Sequence, residues 1–384
     1  MGCTHPVSRR QVLTGLLGLA ASGVLPSCNR DDGRAPQRVS GPAEEALARA
    51  TDYLWSRQRP DGSFGSERYG FLRRGQSLTP LVLGSLLRVP ERFDPKGVHR
   101  TERLSRAITA LVALRNDEGA IGFAESVSDY PCYATSLFLR LLPMAHPVNW
   151  KTLAQPSADW LLSQQFLAAR GWSGHAAQGG WGMGTRTTRR PPQAGHVDLS
   201  MTRRVVEGLR AAGLAKNAEP FRQAHEFIAR CRATNGAFIY SPVDHALNKG
   251  HREATAGRSL GYGSATCDAL LALDAVGVAK SPLVDDALDW LLRHHRLDEN
   301  PGVSGGPMAP FATAMRGYYR AGAARCFANF GGPPGWQDGL IRAVVGEQQA
   351  DGAWRNESPL QKEDEPLIAT PFAVEALCDA LGLT

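Results

Sequence analysis

Polar side chains that could bind a ligand are concentrated in three segments of the chain. Two are long, residues 172–197 and 241–258, and the third is the acidic run Glu363-Asp364-Glu365, just before an apolar stretch. The basic residues of interest in the first two are Arg186, Arg189, Arg190, His245 and His251. Polar groups of opposite charge above an apolar interior are typical of a ligand mouth. The sequence therefore predicts a ligand-binding rim, with solvated loop charge as the alternative.

One acidic motif has the form of a metal site. Residues 285–289, Asp-Asp-Ala-Leu-Asp, match the DDxxD pattern that elsewhere holds magnesium on a diphosphate. The motif lies at the start of an amphipathic helical segment, where the helix dipole favours acidic side chains. We interpret it as a solvated helix start, and the sequence predicts neither a bound metal nor a cofactor.

Six threonines recur along the chain, each after a small or apolar residue and each at the head of an apolar stretch. Their separation is roughly 60 residues, the length of two helices with two connecting loops. The six are Thr79, Thr135, Thr202, Thr266, Thr313 and Thr370. This pattern predicts a repeat whose unit is a helix pair.

Apolar residues follow each threonine at helical spacing. The residues four positions on are Leu83, Leu139, Val206, Leu270, Gly317 and Val374. Such a stripe indicates a helix with one buried face, whereas the helix before each turn is more mixed in polarity. Because six pairs can close into a ring, we predict an all-α, (α/α)6 toroid with the threonine-headed helices inside. Gly317 and Arg320 interrupt the stripe, which makes the fifth unit the weakest repeat.

The first residues have the pattern of an export signal. Arg9 and Arg10 form a twin-arginine pair, and residues 16–24 are a short apolar run. The run is too short to cross a bilayer, which requires roughly 20 apolar residues. Residues 25–28, Leu-Pro-Ser-Cys, resemble a lipobox that would leave Cys28 as a lipid-bearing N-terminus. Ordinary cleavage without a lipid is the alternative.

The chain is therefore predicted to have three parts. Residues 1–27 are the twin-arginine export signal, residues 28–42 a flexible tether, and residues 43–384 the toroid domain. The tether has almost nothing to bury, as expected for a linker. We expect an exported protein of the cell envelope or periplasm that contacts the membrane through a lipid anchor on Cys28.

Charge and cysteine content argue against other classes of protein. The formal net charge is +6, but no basic run is interleaved with aromatic residues, so nucleic acid is not an expected partner. After the tether the cysteines are Cys132, Cys231, Cys267, Cys326 and Cys378. Their number is odd and no CxxC pair occurs, so we predict small buried thiols rather than a disulfide framework.

Two stretches share a pattern of glutamine, aspartate-glycine and an aromatic residue. They comprise Leu54, Trp55, Gln58, Asp61, Gly62 and Phe64 in one, and Gln348, Gln349, Asp351, Gly352 and Trp354 in the other. The pattern resembles the QW-type repeats of the squalene-hopene cyclase and protein prenyltransferase β-subunit superfamily. Residues 179–182 and 198–202 are similar to the stretch that precedes an inner helix in those proteins. The resemblance covers nearly the whole chain after the leader and implies an (α/α)6 toroid with a central cavity.

The reactions that this resemblance implies need residues that the chain lacks. Squalene-hopene cyclases start a carbocation cascade from a DxDD cluster, and no DxDD occurs here. Their cavities use many aromatic faces, whereas the predicted inner helices contribute few. These are chiefly Phe138, Tyr318, Tyr319 and Phe372. Protein prenyltransferases hold zinc through Asp, Cys and His; His196, Asp198 and Cys267 could suit zinc, but the DxC pairing is missing and no zinc site is predicted.

Three functions are consistent with this interpretation. The first is a cyclase- or prenyltransferase-like protein that binds an apolar or isoprenoid-like small molecule in its cavity, with catalysis left open. The second is an active squalene or terpene cyclase-type enzyme with atypical acids, for which Asp198 and Glu365 are the candidate proton donors. The third is a scaffold that binds a protein or polysaccharide through its polar rim, with Arg189 and Arg190 as contacts.

Overall fold

The computed structural model describes residues 41–94 and 99–383. The described residues all belong to one compact unit. The predicted export signal, Cys28 and the tether as far as residue 40 lie outside the described residues. The first helix begins at Gly41, close to position 43, the predicted start of the toroid. Within the described ranges, every helix is too short or too polar to cross a membrane.

Thirteen α-helices and one two-stranded ribbon make up the described chain. Six helices form an outer layer: α1 (Gly41–Ser56), α3 (Arg100–Ala113), α5 (Trp150–Ser163), α7 (Glu219–Arg230), α9 (Pro282–His294) and α12 (Trp336–Val345). Six form an inner layer: α2 (Leu78–Arg88), α4 (Pro131–Ala145), α6 (Leu199–Ala211), α8 (Gly263–Ala275), α11 (Arg316–Phe330) and α13 (Pro366–Leu381). The short α10 (Pro310–Ala314) precedes α11, and β1 (Trp181–Gly182) pairs antiparallel with β2 (Val197–Asp198).

The inner helices form a closed ring. Each packs on the next in the order α2, α4, α6, α8, α11, α13, and α13 packs on α2. The outer helices pack against them from outside, α5 mainly on α4, α9 on α8 and α12 on α13. The hydrophobic core lies between the two layers, and the stripe residues Leu83, Leu139 and Leu270 are fully buried there. The all-α, (α/α)6 toroid predicted from the repeat is confirmed.

Five of the six repeated threonines make the same contact, which explains their recurrence. Each accepts a hydrogen bond of 3.0–3.2 Å from the backbone N–H at the end of the turn that precedes its helix. The pairs are Phe64 with Thr79, Ile121 with Thr135, Trp181 with Thr202, Phe238 with Thr266, and Trp354 with Thr370. These N–H groups are buried, so without the hydroxyl they would lack an acceptor.

The glutamines of the QW-like stretches join neighbouring units. The Gln58 side-chain amide donates to the Gly62 carbonyl of its own turn at 3.1 Å and to the Arg103 carbonyl of α3 at 2.9 Å. Gln348 donates in the same way to Gly352 and to Ala46 of α1, both at 2.9 Å. The last unit is thereby bound to the first, as a closed ring requires.

A glycine is needed in these turns because the next unit approaches closely. Gly62 has φ +89° and Gly352 has φ +89°, a region that other residues rarely adopt. A Cβ atom at Gly62 would also lie 2.6 Å from the Arg106 carbonyl carbon, and one at Gly352 would lie 2.5 Å from the Arg49 carbonyl oxygen. The Asp-Gly pair of the motif therefore makes both the turn and the contact between units.

The fifth unit departs from the prediction. Its inner helix was expected to begin at Thr313, but α11 starts at Arg316 and extends to Phe330. Thr313 lies in the separate short helix α10 and is exposed, and its hydroxyl makes only a weak local contact with the Pro310 carbonyl at 3.4 Å. Gly317 and Arg320 belong to the start of α11, so the apparent break in the apolar stripe came from an incorrect register.

The cysteines behave as predicted. Cys132, Cys231, Cys267, Cys326 and Cys378 are all buried and unpaired. Burial raises the pKa of the Cys132 and Cys231 thiols, which keeps them protonated at neutral pH. They act as small core residues.

Candidate functional site

The inner ring encloses a cavity of about 520 Å³ at one end, within the size range of small-molecule sites. The inner helices contribute residues from their first two turns, for example Leu81 of α2, Tyr133 of α4 and Phe372 of α13. The loops that lead into these helices complete the wall. All six inner-helix N-termini therefore surround one cavity.

Apolar and aromatic side chains dominate the wall. Six aromatic rings line it: Tyr130, Tyr133, Tyr240, Phe311, Tyr318 and Phe372. The inner helices supply few of them, as expected: Tyr133, Tyr318 and Phe372. The other three, Tyr130, Tyr240 and Phe311, come from segments outside the inner helices. Of the four aromatics expected there, Phe138 and Tyr319 are buried in the core and do not line the cavity.

A cluster of buried, charged side chains lies inside the ring next to the cavity. Arg203 lies 2.8 Å from both Asp268 and Glu207, and Arg140 lies 3.3 Å from Glu207. Burial alone would raise the pKa of Glu207, but Arg203, Arg140 and Arg204 lower it to about 2. The guanidinium of Arg204 stacks on two wall tyrosines, so positive charge lies directly beneath the floor.

A hydrogen-bonded chain of three side chains crosses the cavity wall. The Tyr318 hydroxyl donates to Asp268 Oδ1 at 2.7 Å, and Ser200 Oγ lies 2.7 Å from the Tyr318 hydroxyl. Burial raises the pKa of Asp268, although Arg203 and Tyr318 oppose the shift. Asp268 was not among the predicted site residues, although an acid inside the apolar stripe of α8 was a signal for it.

Glu363 is the acid of the predicted rim that reaches the cavity. Its carboxylate accepts the backbone N–H groups of Gly317 at 2.9 Å and Tyr318 at 2.8 Å, at the start of α11. Asn356 Nδ2 adds a third bond at 3.2 Å. Burial raises the pKa of Glu363 to about 7 in spite of these donors. The wall therefore carries a carboxyl group that exchanges its proton near neutral pH.

The other two acids of this segment hold the last unit to the first. Asp364 accepts the Tyr69 hydroxyl at 2.7 Å and pairs with Arg68 at 2.9 Å. Glu365, a predicted proton donor, accepts the Ser66 hydroxyl and caps α13 through the Leu367 N–H at 3.2 Å. Both side chains are buried and lie outside the cavity wall.

Asp198, the other predicted proton donor, caps α6. Its Oδ1 accepts the Met201 N–H at 2.7 Å, and its Oδ2 lies 3.1 Å from His196 Nε2. The same His196 nitrogen lies 2.9 Å from the Tyr240 hydroxyl. His196 and Tyr240 line the cavity, whereas Asp198 lies behind them. Asp198 is therefore not a wall residue itself, but it contacts the wall residue His196.

The basic residues of the predicted rim lie elsewhere. Arg186, Arg189 and Arg190 are exposed and line an outer groove, where Arg186 donates to the Phe123 carbonyl at 2.8 Å. His245 and His251 are also exposed and outside the wall. The two loops that carry them do reach the cavity, through Met183 and His196 and through Leu247 and Lys249.

The candidate metal motifs are engaged in other contacts. In the described parts of the chain, no group of three or more His, Cys, Asp or Glu side chains is arranged to hold a metal ion. Asp286 of the DDxxD motif pairs with Arg232, and Asp289 pairs with Arg293. Cys267 is buried in the core.

Solved structures with the same architecture include type II terpene cyclases. The apo structure of MstE from Scytonema matches 89% of this chain and 99% of its own, with 14% identity and a TM-score of 0.59. MstE with its substrate, geranylgeranyl dihydroxybenzoate, matches at 13% identity and a TM-score of 0.54, over 89% of this chain and 98% of its own.

The chain has a terpenoid cyclase-like fold.

This fold also serves other chemistry. A glycoside hydrolase family 76 mannosidase from Bacteroides thetaiotaomicron matches 89% of the chain and 98% of its own, at 9% identity and a TM-score of 0.53. No protein-family model and no curated protein matches the sequence. At these identities the likeness shows the fold alone, so function must be argued from the cavity.

Proposed function

We propose that the central cavity binds an apolar, isoprenoid-like small molecule. The observation that carries this proposal is the cavity of about 520 Å³ whose wall is dominated by leucine, methionine and aromatic side chains. A molecule that covers this wall gains roughly 25 cal/mol for each Å² of apolar surface removed from water. Isoprenoid chemistry is supported by the substrate held in the MstE structure of the same fold.

A variant that fills the cavity tests this proposal. Leu81 lines the cavity and is buried, so Leu81→Trp would occupy space that a ligand needs. Purified protein is incubated with geranylgeraniol and with cell lipid extract, and retained molecules are identified by mass spectrometry. We expect retention by the wild type and at least a tenfold loss in Leu81→Trp.

Val127→Trp is the matched control, because the Val127 side chain is 62% exposed and lies outside the cavity wall. It adds the same ring without filling the cavity and is expected to retain the ligand. Ile368→Phe, a smaller change in the same wall, covers the case in which Leu81→Trp does not fold. Failure of the wild type to retain any lipid or isoprenoid would refute the proposal.

Acid–base catalysis on the bound molecule is a second candidate, favoured by Glu363. The acids first considered, Asp198 and Glu365, cap helices and lie outside the wall, whereas Glu363 lies in it. With a pKa raised by burial to about 7, its carboxyl group can give or accept a proton near neutral pH. A cyclase-type reaction with an atypical acid would place that acid here.

Product formation decides between binding and catalysis. Squalene and geranylgeranyl dihydroxybenzoate are incubated with the protein, and products are separated by gas or liquid chromatography. Catalysis predicts a product that Glu363→Gln abolishes and Glu357→Gln retains, since Glu357 is an exposed residue of the same loop. If neither substrate is converted by wild-type protein that binds them, binding alone is favoured.

We also propose that the protein is exported and anchored by lipid at Cys28. The support is the sequence of the leader: the Arg9-Arg10 pair, a short apolar run and the lipobox-like residues 25–28. Replacing both arginines by lysine is expected to leave precursor in the cytoplasm. Cys28→Ser is expected to move the exported protein from the detergent phase to the aqueous phase in Triton X-114 partitioning. Unchanged partitioning of Cys28→Ser would exclude the lipid.

A further inference from the structure

Lys249 places an ammonium group in the cavity wall without an acidic partner. Its Nζ makes one long hydrogen bond, 3.3 Å to the Leu247 carbonyl, and lies 5.1 and 5.2 Å from the ring centres of Tyr240 and Phe311. Within the described residues, no carboxylate lies within 4.0 Å of it. Burying an ammonium group is unfavourable unless it is paired, and burial lowers the pKa of Lys249, with Asp198 opposing the shift.

A second lysine lines the same cavity. Lys362 lies over the ring of Phe71 at 5.6 Å, and none of the ion pairs of the described residues includes it. Its backbone has φ +61°, a conformation that residues other than glycine seldom adopt. The loop thus holds a strained residue at the cavity although an asparagine or glycine would fit the turn more easily.

The acids of the wall already have partners among the protein's own groups. Asp268 lies 2.8 Å from Arg203, and Glu363 accepts two backbone N–H groups and the Asn356 amide. Asp198, the carboxylate that opposes the lowered pKa of Lys249, caps α6 and contacts His196. Six inner-helix N-termini add partial positive charge around the cavity. Among the charged side chains of the described cavity wall, those left without a strong partner are therefore the positive ones, Lys249 and Lys362.

The proposal that follows rests on the proposed cavity ligand, whose chemistry these observations specify. We propose that the ligand is an amphipathic anion, an apolar chain that ends in a carboxylate or phosphate. Its head pairs with Lys249, with Lys362 contributing from the loop before α13. Its chain lies along the apolar wall that includes Leu78, Leu81 and Phe372.

Three probes with one chain test the proposal: geranylgeranoic acid, geranylgeranyl monophosphate and geranylgeraniol. Affinity is measured by isothermal titration calorimetry on the full mature protein. We expect at least one anion to bind at least tenfold more tightly than the alcohol. Lys249→Met is expected to weaken that anion about tenfold and to leave the alcohol unchanged, whereas Lys249→Arg restores most of the anion's affinity.

Lys280→Met is the matched control, because Lys280 is exposed and lies after the C-terminal end of α8, whereas Lys249 precedes the N-terminal end of that helix. It is expected to change nothing. A preference between the carboxylate and the phosphate identifies the head group. Equal binding of all three probes, unaffected by Lys249→Met, overturns the inference while the proposed cavity function stands. Absence of binding by every probe overturns both.

Discussion

At the scale of single residues, three consecutive acids divide between two tasks. Glu363 accepts a backbone N–H at the start of α11 and lines the cavity, while Asp364 and Glu365 bind the first unit. The sequence identified the segment as part of a rim but could not assign these tasks. Their partners, such as Gly317, Tyr69 and Ser66, are distant in the chain, so no local spacing carries the information.

Glu363 predicts a pH dependence of stability. Burial raises its pKa from an ordinary value of 4.5 to about 7, so the folded state holds a proton that the unfolded state has lost between these values. Stability therefore falls as pH rises from the lower pKa to the higher one, by about 1.4 kcal/mol for each pH unit between them, and levels off above it. Asp129, with a pKa raised by burial to about 6, acts in the same direction.

Glu363→Gln is expected to flatten this profile between pH 5 and pH 8, because an amide does not titrate. The part due to Asp129 remains below about pH 6. Urea denaturation at a series of pH values measures the effect, and Glu357→Gln on the same loop serves as the control. A Glu363→Gln profile parallel to that of the wild type would show that this carboxyl group does not titrate near 7.

At the scale of helices and turns, the repeat was readable because one contact recurs. A buried N–H at the end of each turn needs an acceptor, and a threonine in the first turn of the next helix supplies it. In the fifth unit the segment is divided between α10 and α11. Thr313 fits the sequence pattern there but does not make this hydrogen bond. A motif defined by residue type cannot reveal which of its copies makes the bond.

Thr135→Val is expected to destabilise the fold. Valine keeps the shape but leaves the buried Ile121 N–H, which donates to Thr135 at 3.0 Å, without an acceptor. The free energy of unfolding is expected to fall by about 1–3 kcal/mol. Thr313→Val, the same change at the exposed copy, is expected to alter it by less than about 0.5 kcal/mol. Equal losses at both positions in urea denaturation would contradict this account of the repeat.

At the scale of the whole molecule, the ring was predictable and the contents of its cavity were not. The helix pair recurs six times, and closure follows because each inner face needs a neighbour. The wall, in contrast, depends on loops that do not repeat, which supply Tyr130, Tyr240 and Lys249. Their position is set by packing across the ring. The sequence therefore pointed to the loops that reach the cavity but not to the side chains that line it.

Closure itself gives a quantitative prediction. In an open array, Gln348 at the last unit would have no following unit to bind, whereas here it donates to Ala46 just as Gln58 donates to Arg103. Gln58→Ala removes two hydrogen bonds of part-buried groups, and Gln348→Ala removes the matching two together with an exposed one accepted from Arg49. Both are therefore expected to lower the free energy of unfolding by a similar amount, about 1–3 kcal/mol. If urea denaturation showed a loss for Gln58→Ala and none for Gln348→Ala, the contact between the last and first units would be absent in solution, and the enclosed cavity with it.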